Sequence, residues 1–205
     1  VPLTRSGLLF AAVILALYAG ITAAVLTSPY GDPLNVMVRL LALWGFIALS
    51  IATILTPFLR DIRRVFGRPF LAVHHTFAAV GILLPTLHPV AAAINAADLA
   101  VFIPVFSPWT TFWVLAGRPA LYILYIALAG VLLRTYIREY WRWVHGLMYV
   151  ALVLAVVHGN LIGTDFQSPI VRWTINTLFV LTIATFVIRR WQMMTRAKKR
   201  RPQSA

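Results

Sequence analysis

The stretch FLAVHHTFAAVGILLPTLHPVAAA, residues 70–93, holds three histidines and no Asp, Glu, Lys or Arg. As a helix rising about 1.5 Å per residue it would extend roughly 36 Å, enough to cross a hydrocarbon core about 30 Å thick. The apolar–polar alternation of a barrel strand is absent, and a helix satisfies every backbone N–H and C=O within itself, as lipid requires. Working outward, runs of the same kind lie at 7–26, 40–59, 113–133, 144–162 and 170–188. The sequence thus predicts an all-α membrane protein, a six-transmembrane-helix bundle forming a single domain over residues 1–205. Its last part, 189–205, is a basic tail.

Composition leads to the same class. Of 205 residues, 61% are hydrophobic and only 11% charged, too little polar surface to cover a water-facing exterior. There is no cysteine, which excludes disulfides, thiolate zinc sites, iron–sulfur clusters, Cys nucleophiles and haem attachment through C-x-x-C-H. The first apolar run is longer than a signal-peptide core and precedes no soluble body, so it is expected to stay in the mature protein.

The net charge of +13 is unevenly spread. Arg60, Arg63, Arg64 and Arg68 follow span two, and Arg134, Arg138 and Arg142 follow span four. Arg189, Arg190, Arg196, Lys198, Lys199, Arg200 and Arg201 follow span six. The remaining connections hold Asp32, Asp98 and Asp165, with only Arg39, Arg118 and Arg172 as cations. The positive-inside rule then places both termini in the cytoplasm. The apolar connection from Asn95 to Phe112 is expected outside, along the interface or capping the bundle. A basic run beside a span suits anionic lipid better than nucleic acid, so no nucleic-acid partner is expected.

All five histidines fall in two spans: His74, His75 and His88 in the third, His145 and His158 in the fifth. Ionisable groups inside a bilayer are costly and point to function. His74 and His88 stand about 21 Å apart along a helix, and His145 and His158 about 20 Å. Both spans begin after a basic loop and are therefore expected to run parallel, from cytoplasm to exterior, which puts His74 level with His145 near the inner side, and His88 with His158 near the outer side. Two facing imidazoles suit the axial positions of a haem iron. Zinc wants a larger donor set, and a proton relay would normally recruit carboxylates, whereas all five acids lie at span ends.

Fourteen residues return to within about 40° of the starting helix face, while thirteen miss by about 140°. His145 and His158 therefore share a surface only if span five is tilted or overwound, or if two haems approach it from different sides. His75 points about 100° away from His74 and is the alternative inner ligand. Gly81, midway between His74 and His88, would let a flat ring or a neighbouring helix approach. Pro85 is placed to kink the outer end of the span. Arg68, Arg138 and Arg142 at the inner level, and Arg118 or Arg172 at the outer, are candidate partners for haem propionates.

Arg63-Arg64-x-x-Gly67 leading into His74-x13-His88, followed by Trp141-Arg-Trp-Val-His145-x12-His158, resembles the ferric-reductase-like transmembrane domain. That six-helix haem module is shared by NADPH oxidases, ferric reductases and MsrQ, the haem-binding membrane subunit of the bacterial methionine-sulfoxide reductase system, to which this chain is closest in size. The resemblance implies an inner haem b on His74 and His145 and an outer haem b on His88 and His158, with electrons passing across a bacterial or archaeal cytoplasmic membrane. No G-x-G-x-x-G or P-loop occurs among the eleven glycines, so a cytoplasmic-side flavin, quinone or flavoprotein would supply electrons and a periplasmic or extracellular protein would accept them. The chain would then be the electron-transfer subunit of an oxidoreductase. The alternatives are ferric or oxygen reduction directly at the outer haem, and a haem-free transporter or assembly protein.

Overall fold

A computed structural model describes residues 4–29, 31–58, 62 and 69–200. Seven α-helices occur among them: α1 (Arg5–Leu26), α2 (Pro33–Ile54), α3 (Phe70–Ala96), α4 (Trp109–Val114), α5 (Gly117–Leu132), α6 (Trp141–Ile162) and α7 (Pro169–Arg200). Five are long and apolar enough to cross a bilayer: α1, α2 with its extension to Phe58, α3, α6, and α7 as far as Gln192. The chain is an all-α, multi-pass integral membrane protein.

Local chemistry sets the helix ends. The Thr4 Oγ1 accepts a hydrogen bond from the Gly7 amide at 3.1 Å and starts α1. Asp32 does the same for the Asn35 amide at 3.0 Å, with Pro33 in the first turn where no N–H is needed. That cap starts α2 at residue 33, well ahead of the predicted 40. At the far end of α3, Ala97 turns into the left-handed region (φ 51°), and the Ala97 and Asp98 amides close onto Ile94 and Ala93.

The span predicted at 113–133 differs most. It is broken at Leu115–Ala116, leaving the six-residue α4 and the 16-residue α5, which at about 24 Å is shorter than a hydrocarbon core. Gly117-Arg118-Pro119 explains the break, since proline contributes no N–H and glycine holds the helix weakly. The last helix runs on from the predicted end at 188 to Arg200, so the tail begins as helix.

α2 is the central element, buried almost without interruption from Gly45 to Thr53. α3 lies close against it because glycines remove two obstructing side chains. A Cβ at Gly45 would stand 2.5 Å from Pro85 Cδ, and one at Gly81 would stand 2.8 Å from the Leu49 nitrogen. α6 packs on α5 in the same way, Val144 occupying the place of a side chain at Gly130. α1 is tied to α2 by Trp44 Nε1 donating to Thr22 Oγ1 at 3.2 Å and Tyr18 donating to the Trp44 carbonyl at 3.3 Å. α7 is tied to α6 by reciprocal 3.1 Å amide bonds between Asn160 and Asn176.

Candidate functional site

Four of the five histidines adopt one arrangement. Each donates from Nδ1 to a backbone carbonyl of a neighbouring segment: His74 to Ala52 (3.0 Å), His88 to Val38 (2.9 Å), His145 to Ala127 (3.4 Å) and His158 to Val114 (2.7 Å). A carbonyl can only accept, so the proton sits on Nδ1 and the Nε2 lone pair is left for another partner. This is the orienting bond that metal-bound imidazoles commonly make with their second nitrogen.

The spacings correspond across the contacts. His74 and His88 are fourteen residues apart, as are their carbonyls Ala52 and Val38, in reverse order; α2 and α3 are antiparallel and in register. His145 and His158 are thirteen apart, as are Ala127 and Val114, also reversed. The bend between α4 and α5 lies between those last two carbonyls. His145 thus addresses α5 and His158 the end of α4, on the two sides of the break at Leu115–Ala116. His74 lies within electrostatic range of His145, and His158 within range of His88. These four histidines therefore stand two to a level, toward the two ends of parallel helices α3 and α6.

A cavity of about 480 Å³ contains the His88–His158 pair, within the roughly 300–1,000 Å³ usual for small-molecule and cofactor sites. Its walls are mainly apolar, from Phe46 and Leu49 on α2 to Leu124, Leu152 and Val156. Arg118 lines it, as do Arg39 and Asp165, which are buried together with Arg39 Nη1 3.5 Å from Asp165 Oδ1. The Arg39 guanidinium also donates to Ser28 Oγ at 2.8 Å and to the Val25 carbonyl at 3.0 Å. Asp165 sits in the turn between α6 and α7, where burial pushes its carboxyl above the usual range against the opposing pull of Arg39.

The other predicted residues separate. His75 is exposed and makes none of these carbonyl bonds among those described; it lines a shallower groove between α3 and α5, with Arg134. His74 holds the inward position beside it, their ring centroids 5.9 Å apart. Gly81 serves the approach of α2, the neighbouring-helix alternative, through Leu49. Arg142 lies 5.3 Å from the Trp141 ring, and Arg138 donates to the Thr135 carbonyl at 3.4 Å. Arg118 donates to the Ile103 carbonyl at 2.9 Å, and Arg172 is exposed. Arg68, with Arg63, Arg64 and Gly67 of the motif, lies outside the described residues.

Sequence reasoning missed Gly117, which the His158 ring abuts so closely that a Cβ would stand 2.8 Å from His158 Cδ2. It also left Arg39 and Asp165 as separate charges, and their 126-residue separation gives no hint of pairing. Among the described residues no three His, Asp or Glu side chains are placed to hold a metal ion together. No protein-family profile, curated protein or solved structure matches the chain.

Proposed function

We propose that the chain is a b-type haem-binding membrane protein that carries electrons across the bilayer. His74 with His145 would hold an inner haem, and His88 with His158 an outer one. The observation that carries this reading is the shared setting of four intramembrane imidazoles, each with Nδ1 committed to a carbonyl and arranged in two pairs. A bound haem would supply reversible one-electron iron chemistry, and the imidazoles of each pair would hold it.

The protein's own contribution is positional and electrostatic. The four carbonyls fix tautomer and ring orientation. Arg118, which lines the cavity, would offer positive charge to an acidic edge of a haem there, and Arg142, beside Trp141 at the start of α6, to one at the inner end. The walls around the His88–His158 site are mainly apolar. Val114 lies level with His158 and Ala127 with His145, so the chain from Val114 through α5 covers the depth between the pairs. We read it as the sixth crossing, with both termini cytoplasmic by the placement of Arg and Lys. A cytoplasmic-side flavin, quinone or flavoprotein would donate electrons, a protein outside would accept them, and the basic tail would contact anionic lipid.

Purified protein should give a b-type reduced-minus-oxidised spectrum and two haems per chain by pyridine haemochrome. His158→Ala and His74→Ala should each retain one haem, and His75→Ala should retain both. Folded protein without haem would end the reading, and an unchanged haem count in His158→Ala would remove the pairing.

A further inference from the structure

Residues 97–114 join α3 to α5 and contain a single charged side chain, Asp98. That carboxylate is used internally, accepting from the Ala100 amide at 2.8 Å. Further hydrogen bonds fasten the segment to α5: Tyr122 donates to the Phe102 carbonyl at 2.8 Å, and Arg118 donates to the Ile103 carbonyl at 2.9 Å. Phe102 lines the cavity. Large apolar side chains of the segment are left bare: Leu99 is 75% exposed, Ile103 62%, Phe106 69% and Trp109 68%. Phe112 stacks on Trp109 with centroids 5.5 Å apart. An apolar patch of this kind marks an interaction surface.

We propose that residues 97–114 form a foot lying in the lipid interface at the His88–His158 end of the bundle, with Ile103, Phe106 and Trp109 inserted among headgroups and upper acyl chains. Three features select lipid over a protein partner. The segment follows directly on α3, a helix long and apolar enough to cross a bilayer whose Val90 and Ile94 are exposed as Leu99 is, so it leaves the bundle where an apolar helix ends. A protein-docking site is normally rimmed by polar residues, whereas this segment carries no Lys, Arg or Glu. Aromatic side chains also favour the boundary between headgroups and hydrocarbon.

The foot ends at Val114, whose carbonyl holds His158. Its seat in the interface thereby fixes the height of that ring. The proposal concerns the foot alone and stands whether or not haem is bound.

The absence of native cysteine makes single labelling clean. Ile103→Cys, Phe106→Cys and Gly31→Cys would each carry a nitroxide in vesicles of phosphatidylethanolamine and phosphatidylglycerol. Collision with oxygen and with a water-soluble nickel chelate is then compared by power saturation. Gly31 is the aqueous control, in the turn before α2, with nothing within 4 Å of an added Cβ. Labels at 103 and 106 should meet oxygen more than nickel, and the label at 31 the reverse. Leu99→Cys replaces either foot variant that fails to fold. Nickel dominating at the foot positions would overturn the proposal in favour of a water-facing surface that receives a protein. Exclusion of both colliders would overturn it in favour of a foot covered by protein.

Discussion

A neutral imidazole ligates through whichever nitrogen lacks the proton, so the atom that holds the other nitrogen decides how the ring can be used. For His158 that atom is the Val114 carbonyl, and the ring is confined from a second direction by Gly117. Gly117→Ala should therefore displace the ring and lower the outer haem content while His74 and His145 keep theirs. The accompanying loss of stability is expected to be about 1–3 kcal/mol, the range for overpacking. Haem stoichiometry and thermal unfolding in detergent measure both effects.

Asp165 gives a pH dependence with a definite sign. Burial outweighs the pull of Arg39, so its carboxyl holds the proton to higher pH in the fold than its ordinary value of 3.8. The folded state then binds more protons in the window just above 3.8, and stability contributed there is lost as pH rises until the carboxyl is ionised in both states. Asp165→Asn should flatten that part of the profile of unfolding midpoint against pH. The histidines and their spacing are legible in the sequence because an ionisable side chain in an apolar run stands out. The carbonyls that orient them are not, since a backbone acceptor carries no residue-type signal.

Among the elements, α2 and α3 show how much depends on missing side chains. Gly45→Ala drives a methyl into Pro85 and should cost about 1–3 kcal/mol. Gly20→Ala in α1 meets nothing within 4 Å and should be neutral or stabilising by up to about 1 kcal/mol, because alanine holds a helix better than glycine. Unfolding of the two variants in the same detergent makes the comparison. Hydropathy finds the long helices but misplaces their ends. At α2 it begins after Arg39, whereas Asp32-Pro33 starts the helix two turns earlier and buried Arg39 is carried inside it by Asp165, Ser28 and Val25. At 113–133 it reads through Gly117-Arg118-Pro119, where the chain bends, because an average over a window does not register a local break.

For the molecule as a whole, the two histidine pairs require α3 and α6 to run in the same direction, and that in turn requires α5 to bring the chain back across the bundle. The all-α class was legible from long apolar runs without strand alternation. The parallel arrangement was legible from the basic loops and the histidine spacing taken together. The cavity, by contrast, depends on Arg39, Asp165 and the foot residue Phe102, brought together from three distant parts of the chain. The functional claim is that electrons traverse this arrangement from one face of the membrane to the other. Proteoliposomes with oxidised cytochrome c trapped inside and dithionite added outside measure it directly. The trapped cytochrome should be reduced when wild-type protein is present, and at the rate of protein-free vesicles with either His88→Ala or His145→Ala. Reduction that survives both substitutions, or no reduction with the wild-type chain, would contradict the account.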